Sequence, residues 1–438
     1  MLDPKLVREN PEAVREATRI KRIGSSDLVD AWLRADEKRR NSQLQADTLR
    51  SEQKKISDQV GQLKRQLKGG SNPEVEQLIE QSNRLKQQQQ DMTDQQSLAE
   101  AEANQIMLQL PAIPDPTWPI GADANENKVV RTWAHPSLPP APLDKSKNQL
   151  DHAALGVKLG ILDFERGVKL AGSRSYVVKG HGALLYNAVL RFAMDALTKK
   201  NYQPFVVPVL VTEACMIGTG YFPAGRDQAY VTQDNSVLVG TSEVPLASYH
   251  SNEILNENEL PKRYCALSTC FRREAGAAGK DTAGLYRVHQ FDKVEQVVVH
   301  KSDEAEHIAL HEEIIKNAEE ILQALRLPYH VVQNCTGDMG QGKWRMYDIE
   351  TWMPSRNGYG ETHSGSALKD FQARRLNLRY RQEGPKGTPQ FCYTLNNTAI
   401  ACPRVLISIL ELYQQPDGSV VVPEALRPYM HGIERITA

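Results

Sequence analysis

The first quarter of the chain contains two stretches in which apolar residues recur every seven positions. The first carries Leu49, Ile56 and Leu63, and the second carries Leu78, Leu85 and Met92. Heptad spacing of this kind favours two α-helices packed along a shared apolar seam. Between them, residues 69–73 read Gly-Gly-Ser-Asn-Pro, a run typical of a chain reversal followed by a helix start. The pattern predicts an antiparallel helical hairpin about 60 Å long, at 1.5 Å per residue.

Shorter signals fix where this helical region begins and ends. Asn10 is suited to cap a lead-in helix, with Pro11 at its first position. The second long helix, predicted over 74–110, stops at Pro111 and Pro114, and prolines continue to about residue 142. We therefore predict a helical domain over 1–110, a linker over 111–142 and a second domain over 143–438.

In the second domain the pattern changes to short apolar runs between helices. Strands are predicted at 205–211, 236–239, 264–267, 293–299 and 345–351, and helices at 183–200, 303–325 and 403–412. Pro208 interrupts the first strand, which places it at a sheet edge, a bulge or a subunit boundary. The fold class predicted is α+β, with a coiled-coil arm followed by a largely antiparallel sheet flanked by helices.

Charge refines the picture of the hairpin. The whole chain is nearly neutral, with 53 Lys and Arg against 54 Asp and Glu. Residues 34–68, however, carry ten basic and five acidic residues, whereas residues 74–110 carry two and seven. The basic residues near the predicted tip are Lys54, Lys55, Lys64, Arg65 and Lys68. They could attract the acidic helix, face a nucleic-acid phosphate backbone, or belong to a stalk that binds another protein; charge alone leaves these open.

Several classes of protein are disfavoured by features that the sequence lacks. The six cysteines form no Cys-x-x-Cys pair, which indicates reduced thiols. No apolar run approaches the roughly 20 residues of a membrane span, and the N-terminus lacks the pattern of a targeting peptide, so we expect a cytoplasmic protein. Neither a dinucleotide fingerprint nor a phosphate-binding P-loop occurs.

Four segments of the second domain carry candidate chemistry. Phe271-Arg272-Arg273-Glu274 and the later run 287–291, which ends at Phe291, combine arginines that suit phosphate with an aromatic ring that can stack on adenine. The other segments are 395–404, which ends at Arg404, then 361–364 with 371–375, and 240–243 together with Glu295. Taken alone, Glu243 and Glu295 could equally be partners of buried arginines.

Together these segments resemble the three motifs of class II aminoacyl-tRNA synthetases, and in detail the seryl-tRNA synthetase family. Residues 200–208 resemble motif 1, residues 270–276 with 289–295 resemble motif 2, and residues 395–404 with 422–430 resemble motif 3 and the family's C-terminal signature. The helical hairpin and the opening Met1-Leu2-Asp3-Pro4 are also similar, so the resemblance covers the full chain.

The resemblance implies a site residue by residue. Catalytic roles fall on Arg272, Glu274 and Arg404. The ATP-binding residues implied are Arg272, Arg273, Glu274, Arg287, Val288, His289, Gln290, Phe291, Glu361, Thr362, His363, Ser364 and Arg404. Serine would be bound by Thr241, Ser242, Glu243, Arg272, Glu295, Asn396 and Thr398. Glu361 and Ser364 would hold Mg²⁺, and the five basic residues of the hairpin tip would contact tRNA.

The resemblance also implies substrates and partners. These are ATP with Mg²⁺, L-serine, and tRNA(Ser) with tRNA(Sec) as a second acceptor, and the expected assembly is a homodimer formed through the catalytic domains. Two alternatives remain: a class II paralogue with a regulatory or resistance role, and a ligase that loads an amino acid onto a carrier protein. The chain departs from the family pattern at Ser242, His363, Gly365 and Ala367, which suggests a divergent second copy.

Overall fold

The computed structural model describes residues 1–69, 71–276, 283–382 and 387–438. Its helices are α1 Pro4–Glu9, α2 Pro11–Lys21, α3 Asp27–Gln66, α4 Pro73–Met107, α5 His152–Lys158, α6 Phe164–Ala171, α7 His181–Thr198, α8 Glu213–Thr219, α9 Glu243–Ser248, α10 Glu304–Ala324, α11 Phe371–Leu376 and α12 Arg404–Tyr413.

The strands are β1 Lys128–Trp133, β2 Leu162–Asp163, β3 Val177–Val178, β4 Gln203–Phe205, β5 Leu210–Val211, β6 Tyr230–Val231, β7 Val237–Leu238, β8 Ile254–Asn256, β9 Lys262–Phe271, β10 Gln290–His300, β11 Tyr329–Gln333, β12 Arg345–Met353, β13 Gly358–Lys369, β14 Arg379–Arg381, β15 Pro389–Phe391, β16 Tyr393–Cys402, β17 Val420–Val421 and β18 Arg435–Ile436. The chain divides into two compact units. The smaller comprises Leu2–Arg19 and Ile23–Leu110, and the larger comprises Pro111–Ala438 with Met1 and Ile20–Arg22.

The smaller unit contains the predicted helical hairpin. Helices α3 and α4 pack along each other, and the heptad residues of both are half-buried, as expected for a seam covered by only one partner helix. Gln53 Nε2 donates to Ser82 Oγ at 3.2 Å across the seam. At the start of α4 the side chain of Asn72 accepts a hydrogen bond from the N–H of Val75 at 2.9 Å, with Pro73 following it. The coiled-coil prediction is confirmed; Gly70 of the predicted turn lies outside the described residues.

The larger unit is built on an eight-stranded sheet with the order β1-β11-β12-β13-β16-β10-β9-β4. Neighbouring strands are antiparallel except β4 and β9, which are parallel. On one face lies the main core, where Val294 and Val298 of β10 pack with residues of α7, α10 and α12. On the other face, Val297 joins Leu246 of α9 and Ala373 of α11 in a second cluster. Both faces of the central strands are therefore covered, and the predicted α+β class is confirmed.

Several strands of the main sheet, β1, β11, β13 and β16 among them, were absent from the sequence-based prediction. Residues 128–133, within the predicted linker, form edge strand β1 against β11, although Val129 and Val130 are exposed and give no alternating apolar pattern. Strands β13 and β16 were not predicted as strands, because many of their buried positions are polar. By contrast, Pro208 does separate β4 from β5, as its missing N–H requires.

Two further expectations can be compared with the described part of the chain. All six cysteines are free thiols, as predicted. Among the described helices, none combines the length and apolar character that crossing a bilayer requires.

Candidate active site

A cavity opens in the larger unit, and most of the predicted site residues line it. Its walls are formed by Tyr221, Glu243, Arg272, Glu274, Leu285, Tyr286, Arg287, Val288, Phe291, Lys293, Glu295, Lys343, Glu361, Thr362, Ser364, Ser366, Asn396, Thr398, Ala401, Cys402, Pro403 and Arg404. Strands β10, β13 and β16 supply half of these residues, and Arg272 and Glu274 follow the end of β9. All of these residues belong to the larger unit.

Three arginines belong to the cavity wall. Arg272 lies with its Cζ 5.1 Å from the ring centroid of Phe291, and Arg287 donates from Nη1 to Glu274 Oε2 at 2.7 Å. Arg404 begins α12 and donates to the carbonyl oxygens of Tyr286 and Glu361 at 3.1 and 2.7 Å. These arginines, with an aromatic ring beside them, suit a triphosphate attached to a flat base.

Two buried glutamates also belong to the cavity wall. Glu243, at the start of α9, is 3% exposed, and both of its carboxylate oxygens are occupied. Oε1 accepts from Asn396 Nδ2 at 2.7 Å and Gln372 Nε2 at 2.8 Å, while Oε2 accepts from the Tyr221 hydroxyl at 2.7 Å. Burial, followed by the charge of Glu243, raises the pKa of Tyr221 well above its ordinary value. Three neutral donors thus hold a negative charge at a fixed point on the wall.

Glu295, the second glutamate, lies opposite a β-bulge in β16, where Ala399 is the extra residue. The register with β16 shifts between Val294 and Glu295, which brings Glu295 opposite Thr398. Its Oε2 lies 2.5 Å from Lys293 Nζ and accepts from the Thr398 hydroxyl at 3.4 Å. Burial raises the pKa of Glu295, and the ammonium of Lys293 acts against that shift. The outcome is a buried carboxylate beside a hydroxyl, a pair able to accept a hydrogen bond from a small alcohol.

Oxygen ligands gather where β12 pairs with β13. Glu361 and Ser364 line the cavity, and Ser364 is the cross-strand partner of Asp348. Burial and the nearby charge of Glu361 raise the pKa of Asp348, whose Oδ1 is buried and lacks a hydrogen-bond partner in the part of the chain that the structure describes. No cluster of three or more His, Cys, Asp or Glu with metal-binding geometry exists among the described residues. This donor set fits a cation that takes one or two carboxylates and completes its shell elsewhere.

Some residues predicted for the site do not reach the cavity wall. Thr241 and Ser242 are fully buried beside it: the Thr241 hydroxyl accepts from the N–H of Glu243 at 3.1 Å, and Ser242 Oγ donates to Ala266 O at 3.3 Å. His363 is 1% exposed, and burial lowers its pKa to about 3. A bulge between Ile349 and Glu350 leaves Thr362 without a partner in β12, so Thr362 and Ser364 line the cavity whereas His363 does not.

Three motif 2 residues also lie off the cavity wall. Arg273, His289 and Gln290 are absent from the lining, whereas Arg272, Val288 and Phe291 belong to it. His289 Nδ1 lies 3.0 Å from the carbonyl oxygen of Arg272, so its role here is to join the two ends of the motif.

The cavity also contains residues that the sequence reasoning missed. Lys293 lies two residues before Glu295 in the same strand, and the period of two could have revealed it. Tyr221, Lys343 and Ser366 come from other segments, and no local signal marked the first two. Ser366 continues the alternation of Thr362 and Ser364 and could have been inferred from it.

The sheet and its arginine-lined cavity define a class II aminoacyl-tRNA synthetase core. Residues 230–413 match the family described as "tRNA synthetase class II core domain (G, H, P, S and T)". Residues 1–114 match the "Seryl-tRNA synthetase N-terminal domain". The chain belongs to the seryl-tRNA synthetase family.

Individual relatives match over the whole chain. A serine–tRNA ligase of Deinococcus radiodurans is 42% identical, covering 99% of this chain and 98% of that protein. One of Gloeothece citriformis is 41% identical, covering 98% of each. The crystal structure of a seryl-tRNA synthetase from Pyrococcus horikoshii complexed with ATP matches with a TM-score of 0.91 at 36% identity, covering 100% of this chain and 99% of that one. A cytoplasmic serine–tRNA ligase of Naegleria fowleri in complex with AMP matches at 0.87 and 32%, with the same coverage.

Proposed function

We propose that this chain activates L-serine with ATP to give seryl-adenylate and pyrophosphate, and then transfers serine to the 3′ end of tRNA(Ser), with tRNA(Sec) as a second acceptor. The observation that carries the proposal is the pairing, in one cavity, of three arginines with two buried glutamates. A structural neighbour over the full chain is a seryl-tRNA synthetase complexed with ATP, which supports the use of ATP.

The three arginines of the cavity wall would act on the nucleotide. Arg272, Arg287 and Arg404 place positive charge where the triphosphate would lie, and charge fixed in advance stabilises the transition state of in-line displacement at the α-phosphorus. The serine carboxylate is the nucleophile, so the protein supplies no covalent intermediate. Phe291 and Glu274 are the candidates for holding adenine.

The two buried glutamates of the cavity wall would select the amino acid. Glu243, held by three neutral donors, is suited to receive the serine ammonium, while Glu295 and Thr398 are suited to receive the hydroxyl. The cavity is also lined by Tyr221, Lys293 and Lys343. An ammonium requires a carboxylate and a hydroxyl requires an acceptor, and the two sites lie in the same cavity.

Mg²⁺ is part of the proposal. Glu361 and Ser364 would hold it through oxygen ligands, with Asp348 close behind Ser364. When bound, the ion would neutralise charge on the phosphates of ATP. The residues of this chain would orient the ion by presenting oxygen donors on adjacent strands.

The helical hairpin would bind tRNA. Lys54, Lys55, Lys64, Arg65 and Lys68 are all exposed on α3 or just after it, and none pairs with a carboxylate among the described residues. Unpaired cations on an exposed helix are free to contact phosphate. This interpretation is favoured over a carrier-protein ligase by the match of residues 1–114 to the seryl-tRNA synthetase N-terminal domain.

We further propose a homodimer formed through the catalytic domains and a cytoplasmic location, where tRNA is charged. Val206, between β4 and β5, is fully exposed, and Leu210 is also exposed, so this edge carries apolar surface that a second copy would cover. Light scattering of purified protein should give twice the chain mass, and Val206→Arg should shift it toward the monomer. A monomer at all concentrations would contradict this assembly.

The central experiment is ATP–pyrophosphate exchange with each amino acid in turn, followed by charging of tRNA(Ser). We expect exchange that depends on serine and on Mg²⁺, with alanine and threonine far less active. Exchange with another amino acid, or with none, would overturn the assignment of substrate. Exchange without charging would favour a role other than tRNA aminoacylation.

A further inference from the structure

A histidine outside the predicted site is hydrogen-bonded to the cavity wall. His152 begins α5 and is 12% exposed; its Nδ1 lies 2.7 Å from Glu411 Oε1. Its Nε2 lies 3.2 Å from the backbone nitrogen of Leu285. Because a backbone N–H can only donate, Nε2 is the accepting nitrogen and the ring proton sits on Nδ1, facing Glu411. The geometry therefore fixes a single neutral tautomer.

Glu411 joins this histidine to a second segment. Its side chain, in α12 with Arg404, is fully buried. Besides the imidazole, Oε1 accepts from the N–H of His152 at 2.9 Å, and Oε2 accepts from the N–H of Ser355 at 2.8 Å. One buried carboxylate thus holds the start of α5 and the turn at 354–356 at fixed positions relative to α12.

The two held segments meet at Tyr286. Leu285 is its chain neighbour, and Arg356, which follows Ser355, has its Cζ 4.1 Å from the ring centroid of Tyr286. Arg404 has its Cζ 4.4 Å from the same centroid. Both guanidinium groups therefore contact the ring of Tyr286.

Backbone contacts complete the arrangement. The carbonyl oxygen of Tyr286 accepts from Arg404 Nε at 3.1 Å. A Cβ at Gly360 would lie 2.9 Å from Cε2 of Tyr286, and a Cβ at Gly284, where φ is +79°, would lie 2.5 Å from Nε2 of His152. Glycine at both positions leaves room for the tyrosine ring and the imidazole. The position of Arg404 thus depends on Tyr286, and the position of Tyr286 depends on His152 and Glu411.

We propose that His152 and Glu411 form a positioning pair that sets Arg404 for the triphosphate of ATP, acting through Leu285 and Tyr286. Neither side chain lines the cavity, so both act through others. The proposal rests on the proposed function, because it assigns Arg404 to ATP. It adds that the exposed Arg356 is part of the same unit through its contact with the ring of Tyr286.

The test is serine-dependent ATP–pyrophosphate exchange by the full-length protein. His152→Leu keeps an apolar body of similar size and removes the acceptor for Leu285 and the donor to Glu411. We expect KM for ATP to rise about tenfold, as for loss of a buried hydrogen bond, with KM for serine within about twofold of wild type. His152→Gln should recover most of this loss, since its amide can accept from Leu285 and donate to Glu411.

His250→Leu is the matched control. His250 is also 12% exposed, and its Nδ1 also lies 2.7 Å from a glutamate, Glu253, but it does not line or contact the cavity. If each histidine–glutamate pair served only to stabilise the fold, His152→Leu and His250→Leu would have the same KM for ATP. That result would overturn the proposal. Failure of His152→Gln to restore KM would overturn it too.

Two further measurements keep the outcome decisive. If His152→Leu does not fold, the exposed Arg356→Met tests the same unit, and an unchanged KM for ATP in that variant would overturn the proposal. If wild type shows no serine-dependent exchange, the proposed function fails. Titration of the same variants with ATP alone then decides the positioning role, with weaker binding expected for His152→Leu and Arg356→Met and unchanged binding for His250→Leu.

Discussion

Arg287 donates from Nη1 to Glu274 Oε2 at 2.7 Å, which joins the segment after β9 directly to the segment before β10. Glu274 has φ of 52°, a left-handed conformation uncommon for a residue with a side chain. This conformation and the ion pair fix where Arg287 points. Arg287 is therefore held in place by protein contacts, and positive charge that the protein fixes in advance lowers a barrier without reorganisation cost.

The first prediction concerns the arginines of the cavity wall. Arg272→Ala and Arg404→Ala should each lower the rate of serine-dependent exchange by about 100-fold, the effect typical of losing one charge donor to a transition state. Arg273→Ala is the adjacent comparison: its side chain is exposed and off the cavity wall, so exchange should fall by less than about threefold. Equal losses in Arg272→Ala and Arg273→Ala would show that the wall does not define the nucleotide site.

The contrast between Arg272 and Arg273 shows what sequence could provide. The motif identified both, since it is a string of residues, but only the strand geometry separates the side chain that faces the cavity from the one that does not. Lys293 was missed, although the period of two before Glu295 could have revealed it. Tyr221 and Lys343 could not be predicted, because their place in the wall depends on how distant segments pack.

Secondary structure was predictable where the apolar pattern was strong. The heptads specified α3 and α4 closely, and the apolar runs located parts of β9, β10 and β12. Strand β13 was missed because it reads Gly-Tyr-Gly-Glu-Thr-His-Ser-Gly, in which side chains facing the cavity are polar for chemical reasons. A polar site face removes the apolar alternation on which strand prediction depends.

The second prediction concerns acid stability. His300, His307 and His311 are buried, and burial lowers the pKa of His300 and His311 from 6.5 to about 4 and that of His307 well below its ordinary value. The unfolded chain therefore binds more protons between about pH 6.5 and 4. Stability should be lost as pH falls through that window, by about 1.4 kcal/mol per pH unit for each such histidine.

Other buried groups act in the opposite direction, so variants are needed. Burial raises the pKa of Glu295 and Asp348, which take up protons in the folded state. Urea unfolding of wild type and His311→Gln should be compared at pH 7 and pH 5, because the difference between them cancels those shared contributions. The variant should lose less stability on acidification, whereas His181→Gln, at an exposed site, should match wild type. If His311→Gln and wild type lost the same free energy of unfolding between pH 7 and pH 5, the prediction would be contradicted.

The third prediction concerns the arm. Replacing Lys54, Lys55, Lys64, Arg65 and Lys68 by alanine should leave exchange unchanged and sharply reduce kcat/KM for tRNA. A plot of log kcat/KM for tRNA against the logarithm of the salt concentration should have a negative slope. That slope should become shallower by about one unit for each phosphate that the variant no longer neutralises. Arg84→Ala with Lys86→Ala, the two basic positions of α4, is the control and should have little effect. Normal charging by the five-fold variant would mean that the hairpin serves another partner.

Deletion of residues 30–105, with the ends joined, gives a stronger form of the same experiment. The cavity lies wholly in the larger unit, so serine activation should survive and charging should be abolished. Loss of both activities would show that the hairpin supports the fold of the synthetase core.

The last prediction concerns the choice of serine. Alanine lacks the hydroxyl, so it would leave Glu295 and Thr398 unpaired, which can discriminate by about 10⁴ without editing. Glu295→Ala should therefore lose serine activation and narrow the preference for serine over alanine. Glu295→Gln keeps an acceptor oxygen, so it should retain more of this preference. Thr398→Ala should act more mildly, since its contact with Glu295 is 3.4 Å. Threonine shares the hydroxyl and must be excluded by its methyl group, so Thr398→Gly should admit it. If Glu295→Ala kept the full preference for serine, the hydroxyl would be recognised elsewhere.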